Sequence, residues 1–401
     1  MSSLSGSTLR YNMKQRLSFT YLIFIFINTL FVVKYASRID AFNGYVVAFI
    51  YTLLISIISI VYIRLDLKNY YKYLFNITSI FFFVFTIYIN INVDGNSLMV
   101  DRWSAMEVGI KALLNGEYPY SAVDHLNGRT SNLPTLLLIG IPFYFLGNIG
   151  FLQSFAFLLF IYIISKVFST YKERLLCLLL LIFSPSYLWE IYVKSDLMSN
   201  FIIILAVVVF MQDRIFRNIK NNPLFESFLL TSLVMTRITA VIPISILFFK
   251  HFYRFSVQKK MIFIAVSLAT VILFSYICFN KVSSFEHFCK HNPFELQNRQ
   301  LPILLSLILI ITPMIYSFRA KNIKSILYLT VIFLLLPVSI AFFTSIYYSG
   351  FKATLFDSNF DISYFNMVLP FLLLSLTFDY KILLPINRNM SSLQDPAIIL
   401  G

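Results

Sequence analysis

Long apolar runs separated by short polar segments are the first pattern along this chain. They fall at about 18–34, 42–63, 73–89, 131–147, 149–165, 175–189, 197–211, 224–249, 261–279, 300–317, 325–347 and 361–378. Most approach the ~20 apolar residues that a helix needs to cross a hydrocarbon core of ~30 Å. Backbone groups find no water there, so runs of this kind are expected as helices. One stretch departs from the pattern. Between Asn90 and Arg129 there is no membrane-length run, and within it Asp101 to Leu114 has helical periodicity. Trp103, Met106, Ile110, Leu113 and Leu114 share a face, while Arg102, Glu107 and Lys111 lie elsewhere. Asn115-Gly116 stops that helix and Pro119 prevents a restart. An amphipathic helix at 101–114 is therefore predicted to lie in the interface plane and hold polar side chains at a fixed depth.

Two runs do not read as simple crossings. The run 131–147 opens with SNLP, carries Pro142 and ends in Leu146-Gly147-Asn148. At 1.5 Å per residue it spans roughly 25 Å, less than the core. The run 224–249 has Arg237 near its middle and Pro243 soon after, which predicts two short helices in a re-entrant hairpin. If both runs crossed, the basic loops 166–174 and 212–221 would lie outside. Turned back, they leave most of the 32 lysines and arginines in cytoplasmic loops, as the positive-inside tendency requires. The fold predicted is an all-α polytopic membrane protein, a single membrane domain over 1–401. It has about ten full spans plus two re-entrant or broken segments, sits in the plasma membrane and has both termini cytoplasmic. The large outer loops are 90–130, 280–300 and 348–360.

Composition narrows the class. Apolar residues make up 59% of the 401 and charged residues 12%, about half the charged share of a soluble domain. The formal net charge of +14 then belongs to the cytoplasmic loops, and no nucleic-acid partner is expected. The first apolar run ends at Lys34 without a small-x-small cleavage pattern, so it is expected as an uncleaved span. Cys177, Cys278 and Cys289 are too few and scattered for a disulfide framework. Walker, GxGxxG and HExxH motifs are absent, which argues against nucleotide-driven transport on this chain.

The run DRWSAMEVGIKALLNGEYPY (101–120), followed by SNLPTLLLIGIPFYFLG (131–147), resembles the first outer loop of membrane-embedded glycosyltransferases of the GT-C superfamily. The likeness is closest to the polyprenyl-phosphate-sugar-dependent mannosyltransferases and related bacterial members. Asp101 matches the acidic position, Gly116 to Tyr120 the loop end, and Pro134 the proline that opens the next segment. SPSYLWEIYVKSDLMSNFIIILA (184–206) resembles the following outer turn, and TSLVMTRITAVIPISILFF (231–249) an interrupted helix with one basic residue. Two departures stand out: two spans precede the expected first one, and the adjacent acidic pair of stricter members is missing. The resemblance implies sugar transfer from a polyprenyl-phosphate donor to a glycan or lipid acceptor among membrane lipids at the outer face. It leaves a divalent metal open as a cofactor, with no metal ligands assigned.

That chemistry needs a base for the acceptor hydroxyl and cations for the leaving phosphate. Asp101 is the candidate base, by an inverting displacement, and helix capping is its plainer role. Glu190, Asp196 and Asp94 are the further acidic candidates, Asp94 also reading as a turn former. For the donor phosphate the candidates are Arg299, Arg237, Lys290 and Arg129, with Lys194, His287 and His291 behind them. Tyr118, Tyr120 and Trp189 are candidates for stacking on sugar or acceptor. A transporter or flippase, and a polysaccharide polymerase-like protein, are the competing functions.

Overall fold

The computed structural model describes residues 2–216, 222–298 and 301–380, with side chains from residue 15 onward except that of Phe216. It is helical throughout: the one strand-like pairing among the described residues is an isolated bridge between Val123 and Arg129. Six helices are long and apolar enough to cross a membrane, or eight if each of two bent pairs counts as one span. The chain is thus a multi-pass membrane protein.

Helices α1 (Ser2–Ala36), α2 (Gly44–Arg64) and α3 (Tyr70–Asn92) are the first three of the helices long and apolar enough to cross. The predicted interfacial helix is α4 (Arg102–Leu114). It buries Met106, Gly109 and Ile110 as one face, whereas Leu114, expected on that face, is exposed. Next come α5 (Pro134–Phe145) and α6 (Phe151–Val167). The run expected at 175–189 is two helices, α7 (Tyr171–Ile182) and α8 (Pro185–Tyr192), bent by 62°. Pro185 supplies no N–H, and Ser184 before it is extended, so the helix cannot continue through them.

α9 (Leu197–Phe216) leads to α10 (Pro223–Val234) and α11 (Val241–Tyr253). The break expected around Arg237 is present there, with Arg237 extended and a 3-10 turn at Ile238–Ala240. α12 (Val257–Phe279) precedes the short helices α13 (Phe285–Lys290) and α14 (Pro293–Asn298). The last three are α15 (Ile303–Tyr316), α16 (Ile323–Leu355) and α17 (Leu369–Tyr380). The segment 348–360, expected as a loop, continues α16 to Leu355 through a kink at Gly350 (φ 81°). Only glycine adopts that conformation without strain.

The short helices solve a backbone problem. A helix broken within a membrane leaves carbonyls and N–H groups that must find protein partners. The freed carbonyls at the end of α10 accept from the first turn of α5: Leu133 N–H donates to Thr236 O (3.3 Å) and Thr135 N–H to Met235 O (3.1 Å). Across the break, Ile238 N–H donates to Gln297 Oε1 of α14 (2.8 Å). Gln297 Nε2 in turn donates to Ser131 O, so one side chain ties the 280–300 loop to both breaks.

These bonds also fix where the helices end. The far end of α5 lies beside the end of α3, where Asn148 Nδ2 donates to Asn90 O. Both ends of α5 therefore sit at the end of the bundle that carries α4. Early in α10, Ser227 Oγ donates to Phe263 O of α12 (2.7 Å), and Phe252 near the end of α11 packs on the same Phe263. The start of α10 and the end of α11 thus meet at one level of α12, with Arg237 at the far turn between them.

Candidate functional site

The break at Arg237 opens onto a polar chamber of about 230 Å³. Six parts of the chain supply its walls: Asp101, Arg102 and Ala105 at the start of α4, Arg129 to Asn132 before α5, Asp196 ahead of α9, Arg237, Leu296 of α14, and Asp361 with Tyr364 before α17. The charged residues among them all lie at helix starts, breaks or turns. The side chains are held at breaks and turns, whose own backbone groups are tied down as described above.

Two ion pairs organise the charge. Arg237 Nη2 donates to Asp196 Oδ2 (2.8 Å) and to Asn132 Oδ1 (2.9 Å), and both charged side chains are only 3% exposed. Arg237 Nε is buried without a partner, a donor whose desolvation is uncompensated within the described residues. Arg102 pairs with Asp361 through Nη2 and Oδ2 and donates to Ser363 Oγ (3.0 Å). Asp361 Oδ1 also accepts from Ser363 N–H (2.9 Å). Burial alone would push the Asp361 carboxyl up, but Arg102 and Ser363 outweigh it and hold it below the ordinary carboxylate value.

Asp101 differs from both. It precedes α4, yet its side chain makes no capping bond, and the donor its carboxylate has is its own backbone N–H. Ser104 Oγ bonds to its backbone carbonyl instead (3.0 Å). Burial pushes the Asp101 carboxyl above the ordinary value, Arg102 pulls it back, and the charge of Asp124 pushes it further up. The chamber therefore holds two neutralised carboxylates and one free, more basic one.

An apolar groove of about 100 Å³ adjoins the chamber and shares Arg237 and Tyr364 with it. Its walls come from Ile242 of α11, Leu309 and Ile310 of α15, and Pro337, Val338 and Ala341 of α16. Polar and apolar compartments meet at one arginine and one tyrosine.

Of the residues singled out in the sequence, the structure brings Asp101, Asp196, Arg237 and Arg129 to the chamber. Arg299 lies outside the described residues. Glu190 is elsewhere: it is 1% exposed in the bundle and accepts from Asn366 Nδ2 (2.8 Å). Asp94 takes the turn-former role, its Oδ1 accepting from Asn96 N–H (3.0 Å). Lys290 is exposed, and only its carbonyl is engaged, by Arg129. Lys194 lies over the Trp103 ring.

Tyr118 and Tyr120, expected at a sugar, are buried instead, packed on Phe279 of α12. Their apolar area is used to anchor the loop. Tyr118 packs against His287 and reaches His291 O through its hydroxyl. Trp189 lines a different groove, beside Phe31 and Tyr35. Among the described residues no three His, Cys, Asp or Glu side chains gather as a metal site.

Arg102 and Asp361 are the partners that sequence reasoning missed. Arg102 sat in the quoted motif but was placed on the polar face of α4. Asp361 carries no motif of its own, and nothing in sequence joins two residues 259 positions apart.

Fold and site together define a multi-pass membrane protein with a buried, charged chamber open to an apolar groove. Comparison with protein-family models, curated proteins and solved structures gives no match for this chain.

Proposed function

We propose that this protein is a membrane-embedded glycosyltransferase of the GT-C type that moves a sugar from a polyprenyl-phosphate donor to a hydroxyl of a glycan or lipid acceptor. The observation that carries this reading is the junction at Arg237 and Tyr364, where a chamber with three arginines meets an apolar groove. A lipid phosphate has that division: a hydrocarbon chain, then an anion. The groove receives the chain and the chamber the phosphate and sugar.

In the reaction the acceptor oxygen attacks the anomeric carbon as the bond from that carbon to the phosphate oxygen breaks. Asp101 takes the acceptor proton, and polyprenyl phosphate leaves with the electron pair. Arg237, through its unpartnered Nε, and Arg129 stabilise the charge that develops on the phosphate. One base and one displacement give inversion. Asp196 and Asp361 hold Arg237 and Arg102 in place.

The reading includes a topology of ten crossings in the plasma membrane, with α5 and the α10–α11 pair turned back, the chamber outside and both termini inside. The shared ends of α5 and of α10–α11 support it. So does the basic end opposite the chamber, where Arg16 reaches Lys324 O and Asp379, and Lys172 reaches Leu65 O.

The test is purified protein in liposomes, given polyprenyl phosphate carrying a radiolabelled sugar and a lipid extract as acceptor source, without ATP. The expected result is label moving to a new lipid or glycan product. Movement of intact donor across the bilayer with no new product would replace transfer by transport.

A further inference from the structure

A second groove, of about 530 Å³, lies among α1, α3 and α8, and shares no helix with the groove at Arg237. Its lining is apolar: Phe31 and Val32 of α1, Phe85 and Ile89 of α3, Leu188 and Trp189 of α8. Apolar surface facing a membrane is ordinary, but the charge at one end of this groove is not. Tyr35, which also lines it, has the Lys34 ammonium 6.0 Å and the Arg38 guanidinium 4.8 Å from its ring centre.

Lys34 is 4% exposed, and among the described residues neither it nor Arg38 forms an ion pair. The carboxylate that acts on Lys34 through space is Asp361, already committed to Arg102. A lysine whose side chain is almost wholly covered and makes no ion pair is costly at a membrane. The last carbonyls of α1 offer it partial charge only. Neither cation is part of the groove's lining; both stand against the Tyr35 ring that lines it, without an ion pair among the described residues, and Lys34 feels the charge of Asp361 on the chamber wall.

We propose that this second groove binds the lipid chain of the acceptor, with the acceptor's phosphate or diphosphate held between Lys34 and Arg38. The inference rests on the transferase reading. A reaction between two lipid-borne substrates needs two lateral ways into one chamber, and the two grooves approach it through different helices. Arg38 and Lys34 give the anion two donors of opposite accessibility, one exposed and one buried. Such a pair suits a headgroup that enters from the interface.

The experiment uses full-length protein in nanodiscs and a diazirine-bearing polyprenyl diphosphate, with adducts mapped to peptides. Labelling is expected on α1 and α8. Lys34→Gln should lower it at least about tenfold, the scale of one lost charged hydrogen bond, and Lys34→Arg should retain it. Leu188→Trp, which fills the groove from a half-exposed position, should block it without a fall in thermal stability. Excess phosphatidylglycerol should fail to displace the probe.

Equal displacement by phosphatidylglycerol would make the groove a bilayer-lipid site and overturn the proposal. Adducts confined to α11, α15 and α16 would also overturn it. Binding is read without turnover, so the two readings separate. A protein that labels on α1 and α8 but transfers no sugar keeps this site and loses the activity. One that transfers sugar at the wild-type rate with Lys34→Gln and with Leu188→Trp keeps the activity and loses the site.

Discussion

Asp101 and Asp124 direct their Oδ2 atoms at the same face of Gly128: a Cβ placed there would lie 2.6 Å from each. Asp124 is fixed by two backbone donors, Leu126 N–H and Gly128 N–H, both 2.8 Å from its Oδ1, while its Oδ2 is buried without a partner. A rigid charge thus stands beside the free carboxylate of the chamber. Burial raises the Asp101 carboxyl, Arg102 lowers it and Asp124 raises it again. Asp124→Asn removes one raising contribution, so Asp101 should ionise at lower pH. The acid limb of the pH–rate profile, which reports the base, should shift toward lower pH. A limb that stays in place or moves upward would show that Asp124 does not set the base.

Gly128→Ala tests the same contact by crowding. A Cβ contact of 2.6 Å to two oxygens cannot be kept, so the carboxylates or the loop must move. Displacement of a reacting group by about 1 Å can cost on the order of 10²-fold in rate. Turnover should fall by about that factor, while donor binding, measured by retention of labelled lipid, should change little. Wild-type turnover would mean that the reacting base is not held by this loop.

What the sequence disclosed, and what it hid, follows from the range of the interactions. The breaks at Pro134 and Arg237 were legible because their signals are local: a proline at a segment start, a charge inside an apolar run. Asp101 was legible through its place ahead of a periodic helix. The break at Ser184-Pro185 carried an equally local signal, but the apolar run passing through it concealed the bend. Glu190 and Asp196, six residues apart, looked alike. The turn between α8 and α9 sends Asp196 to the chamber and leaves Glu190 among Asn366 and Met198. Tyr118 and Tyr120 had the residue type for sugar stacking, and tertiary packing on Phe279 used them for anchoring. The Arg102–Asp361 pair had no local signal at all.

The pair of Arg237 with Asp196 predicts a stability pattern. Both side chains are 3% exposed, and removing one partner of a buried pair typically costs about 3–5 kcal/mol because the other charge stays buried. Arg237→Gln and Asp196→Asn should each lower the unfolding temperature in detergent. The double variant should recover part of the sum, since no lone charge remains. Strictly additive losses would indicate that the two residues stabilise the fold independently.

Topology can be read on a native thiol. Cys289 is exposed, whereas Cys177 and Cys278 are buried, so an impermeant maleimide added to intact cells should label Cys289 alone. In a Cys289→Ser background, Ser169→Cys, at an exposed turn between α6 and α7, should label only after the inner face is opened. Labelling of Ser169→Cys from outside would mean that α5 crosses the membrane, and the turned-back arrangement would fall.

The remaining prediction concerns Asp101 itself. Its carboxylate makes no cap and no ion pair, and its backbone donor is its own N–H, which the Asn side-chain oxygen can still accept, so Asp101→Asn removes no contact the fold depends on. The variant should reach the membrane at normal yield and unfold within a degree or two of the wild type, in contrast to the Arg237 and Asp196 variants. General-base assistance is worth about 10²–10⁴ in rate. Turnover should therefore fall at least ~100-fold with donor binding preserved, the signature of an interaction made in the transition state. Asp361→Asn is the comparison that gives this result its meaning. Asp361 faces the same chamber but is committed to Arg102, so its loss should act on stability and phosphate binding together. If Asp101→Asn turns over within a few-fold of the wild type while Asp361→Asn does not, the proton is taken elsewhere and the unpaired state of Asp101 has no part in the chemistry.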